Sequence, residues 1–277
     1  MKREVKQKYQ VLQDRLRELG SVAVAFSAGV DSTLLVYVAH EVLGDRMQAF
    51  TAQSDFVPQR DVDDAVAFCA AHHIPHEVVP FPILTVPHVQ ENPSDRCYYC
   101  KHALFAHMKE RAEERGLAYV VDGSNLDDDG DYRPGRRALH ELGIVSPLHD
   151  AGFRKQDIRD LSQVLGLPTW DKPSFACLAS RFPYGEQLTP AGLARVNAAE
   201  EYLMAQGFTQ FRVRDHGAGT IARIEVPPAD IGRLLDPALR AELTARFREL
   251  GYQYVTVDLQ GYRTGAMNEV LPTAKHG

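Results

Sequence analysis

The segment Ser27-Ala28-Gly29-Val30-Asp31-Ser32 joins the apolar run Val22-Ala23-Val24-Ala25-Phe26 to the helix-patterned run Leu34-Leu35-Val36-Tyr37-Val38. That order is a buried strand, a tight loop of small residues and a helix start. Such a loop aims backbone N–H groups and the positive end of a helix dipole at one place, where an anion can sit. The Walker loop would end in Gly-Lys-Ser/Thr, and the dinucleotide fingerprint would carry three spaced glycines; neither is present. The plainer alternative is a strand-to-helix turn with Ser27 or Asp31 near the helix cap.

Strand and helix patterns then alternate. Met47–Ala52 reads as a strand, Arg60–His73 as a helix ending near Pro75, and His76–Val79 as the next strand. Pro80, Pro82, Pro87 and Pro93 break the following segment into loop and short helix. Tyr98–Arg115 reads as a long helix closed by Gly116, Ala118–Val121 as a strand feeding Asp122-Gly123-Ser124-Asn125, and Arg154–Leu165 as another helix. Repeated βα units predict a parallel sheet with helices on both faces and ligands at the carboxyl ends of its strands. Both loops, Ser27–Ser32 and Asp122–Asn125, fall on that edge. Ahead of the first strand, Leu12, Leu16 and Leu19 mark an amphipathic helix packed on the body.

From about Lys172 the pattern changes to α-β-β-α-β: a helix over Pro190–Gln206, strands at Phe211–Arg214 and Ile221–Val226, a helix over Asp236–Leu250, and a strand at Tyr254–Leu259. The fold class is therefore α/β, with residues 1–171 as the larger domain and 172–277 as a smaller α/β domain. Pro272–Gly277 reads as a loose tail.

Charge and cysteine usage narrow the chemistry. With 277 residues and a formal net charge of −6, the surface is not one built mainly to hold nucleic acid. Asp127-Asp128-Asp129, Asp131, Arg133, Arg136 and Arg137 cluster after a strand on the ligand edge. They read either as a solvated loop or as carboxylates for Mg²⁺ beside arginines for phosphate. Arg212 and Arg214 share one face of a strand and repel unless an anion or a carboxylate lies between them; an ion pair with Asp215 or Glu225 is the competing reading. Cys97 and Cys100 have the two-residue spacing used by metal, cluster and redox sites, and Cys177 lies at the domain junction. Two close thiols plus a distant third suit an iron–sulfur cluster with one iron left open, whereas structural zinc takes four ligands. Cys69 is expected to be a small buried side chain.

These residues carry a resemblance across nearly the whole chain. The loop with Asp31-Ser32 is similar to the Ser-Gly-Gly-x-Asp-Ser loop of enzymes that split ATP into AMP and pyrophosphate, departing from it at Ala28. Positive φ there would cost a Cβ-bearing residue about 1–2 kcal/mol, so Ala28 is expected in an ordinary conformation. Together with Asp122–Asn125, Asp131–Gly135, Ser180–Gly185, Arg212-Val213-Arg214, Ala222–Glu225 and Gly261-Tyr262-Arg263, the loop resembles the LarE family. These are PP-loop sulfur transferases that help make the nickel-pincer cofactor of lactate racemase.

The resemblance implies a Rossmann-like PP-loop domain and an enzyme that adenylates a carboxylate of a pyridinium dicarboxylate mononucleotide. Pyrophosphate leaves, and the acyl-adenylate becomes a thiocarboxylate. It implies that Ser27, Ala28, Gly29, Val30, Asp31, Ser32 and Asn125 hold ATP with Mg²⁺ or Mn²⁺. Arg133, Arg181, Arg212 and Arg214 would orient the anionic substrate, with Ser180 beside them. Cys97, Cys100 and Cys177 would carry a 4Fe–4S cluster that relays sulfide from a donor; in other members a sacrificial cysteine gives up its sulfur, and here Cys177 would be that residue. Glu200 and Glu225 are expected to bind a second metal, whose further acidic ligand is replaced here by Arg233, with Asp230 nearby.

A tRNA thiolase, an amide-forming synthetase and a nucleotide sensor stay open as alternatives. The first would need an RNA surface that the charge does not supply, the second an ammonia source, and the third has no use for the cysteine trio. The N-terminal twenty residues carry no apolar core of a signal peptide, and no run is long enough to cross a membrane. The expectation is a cytoplasmic homo-oligomer whose partners are ATP, a small anionic mononucleotide and a sulfide donor, with no stable nucleic-acid or membrane partner.

Overall fold

The computed structural model describes residues 2–129, 134–173 and 176–270. It divides into two compact units, one of residues 1–86 and 97–175 and the other of 87–96 and 176–277.

In the first unit, α1 (Arg3–Leu19) leads into β1 (Val22–Ala25), α2 (Val30–Leu43), β2 (Met47–Gln53), α3 (Gln59–Ala71) and β3 (His76–Pro80). There follow α4 (Arg96–Glu114), β4 (Tyr119–Val121), α5 (Pro134–Glu141), α6 (Pro147–Asp150) and α7 (Lys155–Val164). The four strands form a parallel, Rossmann-like sheet in the order β3-β2-β1-β4. Side chains alternate across its faces, as strand geometry requires. Val22, Val24, Ala49 and Val121 join one buried cluster with Leu12 and Leu16 of α1, Leu34 and Leu35 of α2, Phe68 of α3 and Leu161 of α7. Ala23, Phe50, Val79 and Val120 join another with Phe105 and Met108 of α4 and Leu139 of α5. Both faces are thus covered, and α1 buries the Leu12–Leu16–Leu19 stripe that its sequence spacing predicts.

The strand order reverses at β1: one connection leads to β2 on one side, and a later crossover brings β4 to the other. In open parallel sheets such a switch point leaves a crevice beyond the carboxyl ends of the flanking strands. The loops following β1 and β4 emerge there.

Ala28 departs from the expectation for it. Its φ is +52°, in the left-handed region that penalises a Cβ. Its methyl is 2% exposed and packs in the β1–α2 core; the loop turns sharply enough between strand and helix to require this conformation, and burial of the methyl offsets part of its cost. Two further differences bear on the site. Helix α4 starts at Arg96, so Cys97 lies inside it. Arg136 and Arg137, read as part of a charged loop, lie on α5.

The second unit holds α8 (Pro190–Ala205), β5 (Arg212–His216), β6 (Ile221–Glu225), α9 (Ile231–Leu234), α10 (Pro237–Glu249) and β7 (Tyr254–Val257). Its sheet runs β5-β6-β7, antiparallel then parallel, which is the α-β-β-α-β pattern with the short α9 added. Thr189 caps α8 by accepting from the Gly192 N–H at 3.0 Å. Among the described residues no helix is long and apolar enough to cross a membrane.

Candidate active site

At the switch point of the first unit lies a pocket of about 340 Å³, walled by Ser27, Gly29, Asp31 and Ser32 of the β1–α2 turn, Thr51 and Ala52 at the end of β2, Lys101, Leu104, Phe105 and Met108 of α4, and Asp122, Gly123 and Ser124 after β4. An apolar wall with a few convergent polar groups is the usual form of a small-molecule site. The turn is locked by its serines. Ser32 Oγ donates to the Gly29 carbonyl at 3.2 Å and accepts from the Ser27 N–H at 3.3 Å, and the Ser27 hydroxyl lies 3.1 Å from it. The loop after β4 passes so close that a Cβ on Gly123 would stand 3.1 Å from the Ser32 nitrogen. Only glycine fits there without displacing the phosphate-loop backbone.

Asp31, in the first turn of α2, has Lys155 Nζ at 2.6 Å from Oδ2 and Asn125 Nδ2 at 3.5 Å from Oδ1. Burial pushes its carboxyl pKa up, and Lys155 counters only part of that. Sequence reasoning missed Lys155. It is the first residue of α7, where the helix dipole disfavours a cation, and that misplaced charge is the signal that could have found it. Asp127 sets its position, accepting from the Lys155 N–H at 2.8 Å and from Arg154 at 2.7 Å. Those contacts hold the Asp127 carboxyl below its usual range, the Lys155 N–H most of all. Of the 127–137 cluster, Asp127, Asp129 and Arg136 are thus engaged among themselves, with His149 or with Arg154–Lys155; Asp131 and Arg133 lie outside the described residues.

Cys97 and Cys100 are one turn apart on α4, the first exposed and the second half-buried. Residues 97, 101, 104 and 108 follow helical spacing on one stripe, and the last three of them line the pocket. Cys97 thus lies one turn ahead of the pocket-lining Lys101 on the same helical stripe. Cys69 lies buried in the core, where desolvation pushes its thiol up to about 12; it is inert at neutral pH.

In the second unit, arginines surround the Cys177 turn. Arg181, 1% exposed, makes a two-pronged pair with the fully buried Glu200 at 2.8 and 2.9 Å. Its Nη1 donates to the carbonyls of Ala176 and Cys177 at 2.6 and 3.1 Å. Ser180 Oγ donates to the same Cys177 carbonyl at 2.8 Å. Arg214 pairs with Glu225 at 3.0 and 2.8 Å and donates to the Ser180 carbonyl at 2.6 Å. The backbone on either side of the exposed Cys177 thiol is thus fixed by two buried guanidinium groups. Arg212 stands over Tyr262 at 5.1 Å, and burial together with Arg181 draws its pKa down to about 10.

Of the two readings for the strand arginines, Arg214 realises the ion pair with Glu225; Asp215 turns to the other face and meets Arg195 and Tyr252. Glu200 and Glu225, expected to hold a second metal, are engaged by guanidinium groups in this structure. Glu200 accepts from both prongs of Arg181 and from the Val213 N–H, and Glu225 from Arg214 and Arg223, so each carboxylate oxygen accepts at least one hydrogen bond. Asp230 is paired with Arg233 at 3.0 Å. Among the described residues no cluster of three or more metal-ligating side chains is assembled.

No family model matches the chain. An uncharacterised protein of Synechocystis is 43% identical over 264 residues, 95% of this chain and 98% of its own. The pyridinium-3,5-bisthiocarboxylic acid mononucleotide synthase of Lactiplantibacillus plantarum is 40% identical over 261 residues, 94% of this chain and 93% of its own. A component of the glutamine-hydrolysing GMP synthase of Thermoplasma volcanium is 24% identical over 179 residues, 58% of this chain and 57% of its own. The last likeness is of the extent expected for PP-loop enzymes that share the parallel sheet and the phosphate-type turn. Forty per cent identity along almost the full length of both proteins says more: the chain is an enzyme of the pyridinium-3,5-bisthiocarboxylic acid mononucleotide synthase, or LarE, family.

Proposed function

We propose that this enzyme uses ATP to convert a carboxylate of a pyridinium dicarboxylate mononucleotide into a thiocarboxylate. The observation that carries the reading is the pocket at the β1–β4 switch point, walled by the serine-locked turn and by Asp31, which pairs with Lys155, in a chain so similar to a bisthiocarboxylate mononucleotide synthase.

The carboxylate is a poor electrophile, so one of its oxygens first attacks the α-phosphorus of ATP, and the α–β bridging bond breaks with its electron pair leaving on pyrophosphate. The amides from Ser27 to Ser32 and the α2 dipole receive that departing charge. Asp31 Oδ1 is the loosely held oxygen of its carboxylate, suited to a nucleotide-bound Mg²⁺; Lys155 fixes the other. Asn125 orders the turn after β4, its Oδ1 accepting from the Asp127 N–H at 3.0 Å. In the second unit Arg212 answers an anionic group of the mononucleotide, Arg214 braces Glu225 and the Ser180 carbonyl, and Arg181 with Ser180 fixes the Cys177 turn.

The donor set of three cysteine thiols fits an iron–sulfur cluster, with Cys97 and Cys100 on one helical turn and all three at least partly exposed. Bound on Cys97, Cys100 and Cys177, a 4Fe–4S cluster would leave one iron able to carry a further sulfide. Among the chain's own groups, the competing sulfur source is Cys177 itself, exposed and held by its backbone.

The test is pyrophosphate release from ATP by the full chain, with and without the pyridinium dicarboxylate mononucleotide. Release that depends on the mononucleotide supports the reading. An amide product with ammonia, or release stimulated by tRNA, points to the related PP-loop reactions instead.

A further inference from the structure

The pocket wall of the first unit carries four carboxylates, Asp31, Asp61, Asp122 and Asp128, and among its described lining residues a single cation, Lys101. Each carboxylate already has a partner. Asp31 has Lys155 at 2.6 Å and Asp61 has Lys172 at 3.5 Å. Asp122 accepts from Ser124 and Ser146 at 2.6 Å each, and Asp128 accepts from the Asn125 N–H at 2.9 Å. Lys101 makes no ion pair or side-chain hydrogen bond with any described residue.

Its stem packs against the start of α5. A Cβ on Gly135, in the first turn of α5, would stand 2.7 Å from Lys101 Cδ and 3.3 Å from Cε. The absence of a side chain at position 135 leaves room for the lysine stem between α4 and α5. A lysine packed along Gly135, without an ionic partner among the described residues and set in a pocket whose acids are all engaged, is placed to meet an incoming polyanion.

We propose that Lys101 is a catalytic residue of the ATP-cleaving step, an inference that rests on the adenylation reading above. As the substrate oxygen bonds to the α-phosphorus and the bridging bond to the β-phosphate breaks, the electron pair moves onto pyrophosphate. Lys101 Nζ donates hydrogen bonds to the oxygens that gain this charge and keeps its proton throughout. Because that charge is greatest in the transition state, the contact acts on kcat more than on ATP affinity.

The experiment measures pyrophosphate release at saturating ATP and mononucleotide for the wild type, Lys101→Met, Lys101→Arg and Gly135→Ala, with thermal melts as a folding control. Lys101→Met is expected to lower kcat by about 10²–10³-fold, with KM for ATP little changed. Lys101→Arg recovers part of the rate because it keeps the charge, and Gly135→Ala loses rate with the lysine intact because its stem is displaced. Lys101→Met turning over at the wild-type rate, or raising KM for ATP with kcat unchanged, overturns the inference while leaving adenylation standing. Wild-type protein that releases no pyrophosphate overturns the adenylation reading, and this inference with it.

Discussion

Lys155 Nζ lies 2.6 Å from Asp31 Oδ2, tying the first turn of α7 to the first turn of α2. The pair joins two helix starts, each of which favours negative charge, through one carboxylate and one ammonium. Asp31 is thereby kept beside the phosphate-type turn although burial raises its pKa.

The first prediction follows from that conflict. A carboxyl whose pKa is raised in the folded state contributes stability below its unfolded pKa and loses it as pH rises through the folded value. At pH 7 Asp31 therefore costs the unliganded fold free energy. Asp31→Asn should melt above the wild type at pH 7 and close to it at pH 4, while pyrophosphate release falls by orders of magnitude. A melting point lowered at pH 7 would contradict the sign.

Ala28 gives a second test. Relief of its left-handed strain, worth about 1–2 kcal/mol, is opposed by the greater freedom glycine gains when unfolded, about 0.4–1 kcal/mol. Ala28→Gly should thus leave the melting point equal or slightly raised, with pyrophosphate release retained. A marked loss of stability would mean that the buried methyl matters more than the strain.

The strand arginines divide into two roles. Arg214→Ala strips the buried Glu225 of its two-pronged partner and should destabilise the protein by about 3–5 kcal/mol; urea unfolding reads this. Arg212→Ala should instead weaken mononucleotide binding by about 1.5–3 kcal/mol, the worth of a hydrogen bond to a charged group, and leave ATP binding unchanged. Equal losses for ATP and mononucleotide would show that Arg212 does not discriminate between them.

Glu200 and Glu225 make a prediction about metal removal. Since arginine occupies their oxygens, EDTA should leave thermal unfolding unchanged, whereas Glu200→Gln should lower the melting point by disrupting the pair with Arg181. A melting point that drops with EDTA and recovers with Mn²⁺ would restore a metal to that place.

Much of this was legible in the sequence because the signals were local. Short strand-patterned runs bounded by loop residues located β1 to β4, and the cysteine spacing fell on a helix. What was not legible depends on the fold bringing distant residues together. Lys155 meets Asp31 across 124 positions, and Lys101 acquires meaning only when Gly135 is seen against its stem. Ala28 misled because propensity argues from the residue, whereas the β1–α2 turn imposes the conformation. Arg214 and Glu225 were visible as a possible pair, but the choice between ion pair and anion site needed the register that sets Arg212 opposite Glu225 and Arg214 opposite Arg223.

The most direct test is an anaerobic reaction of the full chain, iron and sulfide reconstituted, with ATP, sulfide and the pyridinium dicarboxylate mononucleotide, followed by mass spectrometry of both the nucleotide and the intact protein. The expected products are a mononucleotide in which sulfur has replaced a carboxylate oxygen, over repeated turnovers, and a protein whose four cysteines keep their mass. An unchanged mononucleotide would contradict sulfur transfer altogether; a single turnover that leaves dehydroalanine at position 177 would contradict the cluster and make Cys177 the donor.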